Sequence, residues 1–263
     1  MSPSIDLQHR GAVAWLSLAR PAVHNAFDAG LIAALNNTLD ALASDDSVRA
    51  LVLTGQGSTF SAGADLNWMR GMAAASEAEN FADSLELARL MRGLNFFPKP
   101  TLARVNGSAY GGGVGLVACC DIAIGVEGAK FSLSEAKLGL VPAVISPYVV
   151  AAIGARQARK LFQTAEVFEA PEAARIGLLH RCVPAAELDE AVDRELHWLG
   201  KGGPLAQAEA KSLALRMGGM TRADAERIDT ENARLIARLR VSPEGQEGLA
   251  AFLDKRAPRW VNP

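Results

Sequence analysis

Thr101-Leu102-Ala103-Arg104-Val105-Asn106-Gly107-Ser108-Ala109-Tyr110-Gly111-Gly112-Gly113-Val114-Gly115-Leu116-Val117-Ala118-Cys119-Cys120-Asp121-Ile122-Ala123-Ile124-Gly125 is the stretch on which the fold turns. Thr101 to Val105 predicts a strand. The glycines that follow open a short helix from about Gly113 to Cys120, and Asp121 to Gly125 predicts the next strand. Strand, glycine turn, helix and strand in that order point to an α/β core.

Upstream, the same alternation recurs. Ala12 to Leu18 and Arg49 to Thr54 are short and β-rich, and between them Asp28 to Ser44 repeats leucine at positions 31, 35, 39 and 42, an amphipathic helix. Ser76-x-x-Glu79 has the form of a capping box and opens a helix carrying Phe81, Leu85, Leu87, Leu90, Met91 and Leu94, which Pro98 and Pro100 stop. Beyond Pro142 the pattern is mostly helical, with segments near Pro147–Gln163, Pro171–Arg175, Ala185–Leu199, Pro204–Met217, Thr221–Arg240 and Pro243–Lys255. The expected division is a core over residues 1–200 and a C-terminal helical region over 201–263, with no interdomain linker, internal repeat or low-complexity tract.

The chain has 263 residues, 49% hydrophobic and 21% charged, enough to bury about three quarters of its unfolded surface around one core. Lys plus Arg number 27 against 29 Asp plus Glu, so no bulk positive field draws the protein to nucleic acid or to an anionic membrane. The first residues lack a basic segment followed by an apolar run, and the long apolar stretch from Gly111 to Val126 is interrupted by Asp121. The expectation is a soluble, cytoplasmic protein without membrane association. Cys119, Cys120 and Cys182 are odd in number and lack CxxC spacing, which argues for packing residues rather than a disulfide framework. The four histidines, His9, His24, His180 and His197, have no metal-ligand spacing, and no Gly-x-Ser-x-Gly elbow is present.

Three features carry candidate chemistry. Gly111 to Gly113 can bring peptide N–H groups against a ligand at a helix start, or can simply make a tight turn. Phe60-Ser61-Ala62-Gly63-Ala64-Asp65 is a second small-residue loop after a strand. Glu135 lies in the apolar run Phe131-Ser132-Leu133-Ser134-Glu135, where burial would raise its pKa toward neutrality and suit it to proton transfer; the alternative is a solvated or paired surface acid. The short fingerprint Gly113-x-Gly115-x-x-Ala118 followed by an acid suggests a dinucleotide site, but the next strand ends near Gly125, far short of Glu135, which argues against a dehydrogenase. Bare backbone donors beside one carboxylate suggest acid/base chemistry next to a carbonyl.

Taken in order, Ala19-Arg20-Pro21-Ala22-Val23-His24-Asn25-Ala26, Phe60 to Leu66, Pro100 to Asp121, Glu135 to Pro142 and Ala251-Phe252-Leu253-Asp254-Lys255-Arg256 resemble the crotonase family, the enoyl-CoA hydratase/isomerase superfamily, over nearly the whole chain. The resemblance implies an α/β fold, a crotonase-like spiral of ββα units with a C-terminal helical trimerisation region, assembled as a homotrimer or homohexamer. It implies an acyl-CoA thioester substrate, with CoA part of the substrate and no separate cofactor or metal. It places the oxyanion-holding N–H groups on Ala64 and Gly112 and the catalytic acid at Glu135. Ala22, His24, Ala62, Asp65 and Leu66 would line the CoA path, and Phe252 and Lys255 would reach CoA bound to a neighbouring subunit. Asn67, Trp68, Gly115 and Ser134 would border the acyl group.

One departure stands out. Hydratases of this family typically carry two glutamates, and the first would fall at Gly115. Its absence favours a double-bond isomerase and keeps a non-catalytic acyl-CoA binding protein in view. However, Ala64-Asp65-Leu66-Asn67-Trp68-Met69, Leu133-Ser134-Glu135 and Leu140-Val141-Pro142-Ala143-Val144-Ile145-Ser146-Pro147 resemble bacterial 3-methylglutaconyl-CoA and terpenoid glutaconyl-CoA hydratases. The expected activity is therefore hydration of a branched or carboxylated enoyl-CoA. Space left open at Gly115 is expected to admit a bulky acyl group, and Ser134, Asn67 or a distal substrate carboxylate is expected to orient the water.

Overall fold

The computed structural model describes residues 3–261. Strand β1 (Ile5–Arg10) turns at Gly11 into β2 (Val13–Leu18), its antiparallel neighbour, and α1 (Ala29–Ala43) starts where the Asp28 carboxylate accepts the Leu31 N–H at 2.7 Å. Then come β3 (Ala50–Gly55), β4 (Thr59–Ser61), α2 (Leu66–Ala74), α3 (Glu77–Asn95), β5 (Thr101–Val105), β6 (Ser108–Tyr110), α4 (Gly112–Cys119), β7 (Ile122–Val126) and β8 (Lys130–Ser132). The rest is α5 (Ser146–Thr164), β9 (Phe168–Glu169), α6 (Ala170–Arg175), β10 (Arg181–Val183), α7 (Leu188–Leu199), α8 (Pro204–Met217), α9 (Arg222–Arg240) and α10 (Pro243–Leu253). The capping box expected at Ser76 is formed by reciprocal bonds with Glu79.

Two sheets result. The longer strands form a six-stranded sheet in the order β1-β2-β3-β5-β7-β10, parallel from β2 onward. Every residue of β3 is buried, as expected of a parallel strand covered on both faces. The short strands form a second sheet, β4-β6-β8-β9, parallel through β8. Each of β3, β5 and β7 is thus followed by a short strand that crosses to the second sheet before the chain turns helical. This repeats a ββα unit three times and agrees with the expected spiral.

The short strands β4, β6 and β8, the β1 strand and the α2 helix go beyond the elements read from the sequence. The C-terminal helices agree with it, apart from a break in α5 at Gly154, which has φ 74° and ψ 152°. α9 lies along α3, while α10 folds back over the 3-10 turn at Ser134–Leu138 and against α2. The contact is close because Gly248 lets α10 reach the Leu138 backbone, where a Cβ would stand 2.9 Å from the Leu138 Cα. No described helix is long and apolar enough to cross a membrane. Cys119 and Cys120 are buried, and burial pushes the Cys120 thiol up to about 12, consistent with packing roles.

Candidate active site

The three chemical features occupy the same place in three successive ββα units. Ala62 to Ala64 follow β4, Gly111 and Gly112 follow β6, and Ser134 and Glu135 follow β8. Because β4, β6 and β8 are parallel neighbours, with Ala109 opposite both Ser61 and Phe131, the segments leaving them emerge side by side. The ladder continues one step further, since the Gly111 N–H donates to the Ser132 carbonyl at 2.9 Å.

Two peptide N–H groups are left without acceptors there. Ala64 forms an isolated parallel bridge with Phe27 in which the Phe27 N–H donates to the Gly63 carbonyl and the Asp65 N–H donates to the Phe27 carbonyl. That pattern uses the groups flanking Ala64 and turns the Ala64 N–H to the other side. Gly112 is the first residue of α4, so its N–H has no partner within the helix. Neither N–H donates to another group among the described residues, and both residues line one cavity of about 260 Å³. Glycine is required around them. Gly111 has φ 48° and ψ −117°, outside the range of residues with a Cβ, and a Cβ there would also press to 3.1 Å on the Glu135 Oε1. A Cβ at Gly63 would lie 2.9 Å from the Tyr110 carbonyl oxygen.

Glu135 lines the same cavity. Its Oε2 is sealed from solvent without a hydrogen-bond partner, and burial raises its pKa to about 7, offset only in part by its own peptide N–H. No cation is paired with it among the described residues. An unpaired buried carboxyl that titrates near neutrality, in one apolar cavity with free peptide donors, can both take and return a proton. The walls are Met69, Met72, Leu87, Val141, Ile236 and Leu249.

The other expected site residues divide. Ala62, Trp68, Ser134 and Phe252 line the cavity. Ala22, His24 and Leu66 are exposed on the segments leading to it, with His24 Nδ1 3.1 Å from the Thr59 hydroxyl. The Asp65 carboxylate caps α2 by accepting the Asn67 and Trp68 N–H groups at 2.8 and 3.3 Å and pairs with Arg20 at 3.3 Å. Two expectations require correction, those that place Asn67 and Gly115 beside the acyl group. Asn67 is exposed, accepts from Arg70 at 2.8 Å and does not line the cavity. Gly115 does not line it either, because Ile145 fills the space a side chain would take, with its Cβ 2.9 Å from where a Gly115 Cβ would stand. With α10 folded back, Phe252 borders its own chain's cavity, while Lys255 is exposed and outside it; their reach to CoA on a neighbouring subunit stays an expectation.

Arg240, at the end of α9, also lines the cavity and was not anticipated. In sequence it is one of two basic residues in a final helical turn, a position usually explained by the helix dipole.

Comparison with known proteins identifies the family. The family model for enoyl-CoA hydratase/isomerase matches residues 8–263. The chain is 34% identical over 246 residues to the 2,3-dehydroadipyl-CoA hydratase of Escherichia coli, covering 92% of each chain. It is 31% identical over 261 residues to the crotonyl-CoA hydratase of Syntrophomonas wolfei, covering 98% of each. Among solved structures, an enoyl-CoA hydratase from Shewanella pealeana aligns with a TM-score of 0.80 at 43% identity, covering 98% of this chain and 96% of the other.

Proposed function

The chain belongs to the enoyl-CoA hydratase/isomerase family, and from that premise we propose that it hydrates a branched enoyl-CoA of the 3-methylglutaconyl type, with Glu135 as its single catalytic acid and base. That the protein is an enoyl-CoA hydratase-type lyase of the crotonase fold follows from the family and its relatives. The observation that carries the mechanism is the unpaired Glu135 carboxyl, raised to about 7 by burial, in one cavity with the unpartnered N–H groups of Ala64 and Gly112.

In this reading the thioester oxygen accepts hydrogen bonds from the Ala64 and Gly112 N–H groups. Ionised Glu135 takes a proton from water as the water oxygen bonds to the β-carbon, and the double-bond electrons move through the carbonyl to give an enolate. The two N–H groups hold the developing oxyanion, an interaction worth roughly 3 kcal/mol per donor in sites of this kind. Glu135 then returns its proton to the α-carbon, so the product has gained one water and the enzyme is restored. Ser134 borders the cavity beside Glu135 and its hydroxyl makes no hydrogen bond among the described residues, which leaves it free to orient the water.

The branched acyl group is supported by the resemblance of the Leu140–Pro147 and Ala64–Met69 segments and by the apolar walls they supply through Val141, Val144 and Met69. The name of the Escherichia coli relative, which specifies an acyl group with a second carboxyl, supports a dicarboxylic substrate class. Mass analysis of products from straight, branched and carboxylated enoyl-CoAs tests the proposal. Gain of one water on the branched substrate is expected; a moved double bond at unchanged mass would assign an isomerase, and binding without turnover would make the protein a carrier.

A further inference from the structure

We propose that Arg240 receives a carboxylate at the far end of the acyl chain and so selects dicarboxylic over monocarboxylic acyl thioesters. The inference rests on the reading that the Glu135 cavity binds acyl-CoA, and it assigns a specificity residue within that site.

The geometry is that of a guanidinium held at one corner. Nη1 of Arg240 lies 3.2 Å from the Asn80 Oδ1, 3.4 Å from the Asp83 Oδ2 and 3.3 Å from the Ser84 Oγ, all on α3. Asp83 is itself fixed, because its Oδ1 accepts from the Trp68 indole N–H at 3.1 Å. The arginine side chain is only 14% exposed. Yet its other two nitrogens, Nε and Nη2, donate to nothing among the described residues, and neither is among the atoms sealed without a partner. They therefore keep solvent access, and Arg240 lines the cavity together with Ile236, one turn earlier on α9.

A structural role accounts for one side of this arrangement: Arg240 pairs with the part-buried Asp83 carboxylate and lies 6.0 Å from the centroid of the Trp68 ring. That role engages one nitrogen, at distances near the long end for hydrogen bonds. What remains unused is the pair of adjacent N–H edges, Nε and Nη2, that meets a carboxylate through two parallel hydrogen bonds. Lys137 also borders the cavity but is exposed, so Arg240 is the more buried of its two lining cations. Asp83 supplies a countercharge on the Nη1 side; the terminal carboxylate of a dicarboxylic acyl group would supply acceptors for the Nε–Nη2 edge, which has none among the described residues.

CoA also carries anions, so the test holds CoA constant. Glutaryl-CoA and valeryl-CoA have the same chain length, are saturated and cannot be hydrated; their equilibrium affinities are measured by calorimetry for the wild type, Arg240→Lys and Arg240→Gln. The wild type should bind glutaryl-CoA at least about ten-fold more tightly, as expected for hydrogen bonds between charged groups. Arg240→Gln should abolish that preference while changing valeryl-CoA affinity only a few-fold, and Arg240→Lys should keep part of it. Equal wild-type affinities would overturn the proposal, as would a preference that survives Arg240→Gln. Equal weakening of both ligands in Arg240→Gln would transfer Arg240 to a group of CoA and overturn it too. Should Arg240→Gln fail to fold, as judged by thermal melting, the wild-type ratio and Arg240→Lys decide the matter. If neither thioester binds the wild type, the underlying reading of the cavity fails instead.

Discussion

Ile145 occupies the volume that a side chain at Gly115 would need: its Cβ stands 2.9 Å from an ideal Gly115 Cβ, and the Met91 Sδ closes the other side at 3.2 Å. The position of the absent family glutamate is therefore packed rather than vacant, and α4 and α5 meet across it. Gly115→Ala should destabilise the protein by about 1–3 kcal/mol through overpacking. In an Ile145→Ala background the same change should cost much less. A double-mutant cycle by denaturant unfolding checks this, and additive effects would show that the two residues do not share the space.

The same contact bears on catalysis. Gly115→Glu alone should not rebuild a two-carboxylate site, since the new side chain would have to displace Ile145. Unfolded or aggregated protein is the expected outcome, and a folded variant with raised crotonyl-CoA hydration would contradict the packing.

Glu135→Gln should abolish turnover while leaving affinity for a saturated acyl-CoA within several-fold. The wild-type rate of hydration should rise with pH through about 7, as Glu135 ionises into its base form. Stability should move the other way. Below the ordinary glutamate value of 4.5 the acid is protonated in both folded and unfolded chains. Between there and about 7 the unfolded state releases its proton and the folded state keeps it, so stability falls as pH rises and levels off above the folded pKa. At pH near 8 Glu135→Gln should therefore be more stable than wild type by up to about 3 kcal/mol, and near pH 4 about equal to it. Urea titrations at the two pH values read the difference, and equal stability at both would mean that Glu135 is not desolvated in solution.

Much of this architecture was legible in the chain, and what was hidden has a physical reason. The helices after Pro142 show because proline and glycine punctuate them and their apolar residues repeat over several turns. The strands β4, β6 and β8 have three residues each, too few to display a period. Their pairing therefore became evident only in the structure, although it brings the three site segments together. Glu135 could be found because an acid in an apolar run is anomalous locally. Arg240 could not, because a basic residue ending a helix is ordinary until α3 presents Asn80, Asp83 and Ser84 to it from 156 to 160 positions away. The filling of the Gly115 site by Ile145 is likewise a contact between distant segments.

Gly112→Val should lower kcat/KM by about 100-fold or more if its N–H holds the thioester oxygen. A Cβ at Gly112 would come within 3.0 Å of the Phe27 Cε2 and 3.3 Å of its Cδ2, and Phe27 is a fully buried ring that cannot swing aside. The backbone would have to move, taking the donor with it. Single-turnover kinetics on protein shown by circular dichroism and sedimentation to be folded and assembled check this, and unchanged rates would remove Gly112 from the site.

The last expectation concerns assembly, for which α8 supplies the argument. None of the helix's 14 residues is buried, and Leu205, Leu213 and Met217 are 75%, 48% and 70% exposed. Trp198 at the end of α7 adds a side chain that is 62% exposed. Burying each large side chain would contribute roughly 1.5–3 kcal/mol, so a subunit that covered this face would gain several kcal/mol from these residues alone. A helix that merely packed on its own core would have buried its leucines, whereas Lys211, held 2.9 Å from Asp121, anchors α8 with its apolar side chains still in solvent. Sedimentation velocity at micromolar concentration should therefore show a trimer or hexamer, and Leu205→Glu combined with Met217→Glu should shift it toward monomer without unfolding the core. A wild-type monomer, or a double variant that assembles as before, would place the contact elsewhere.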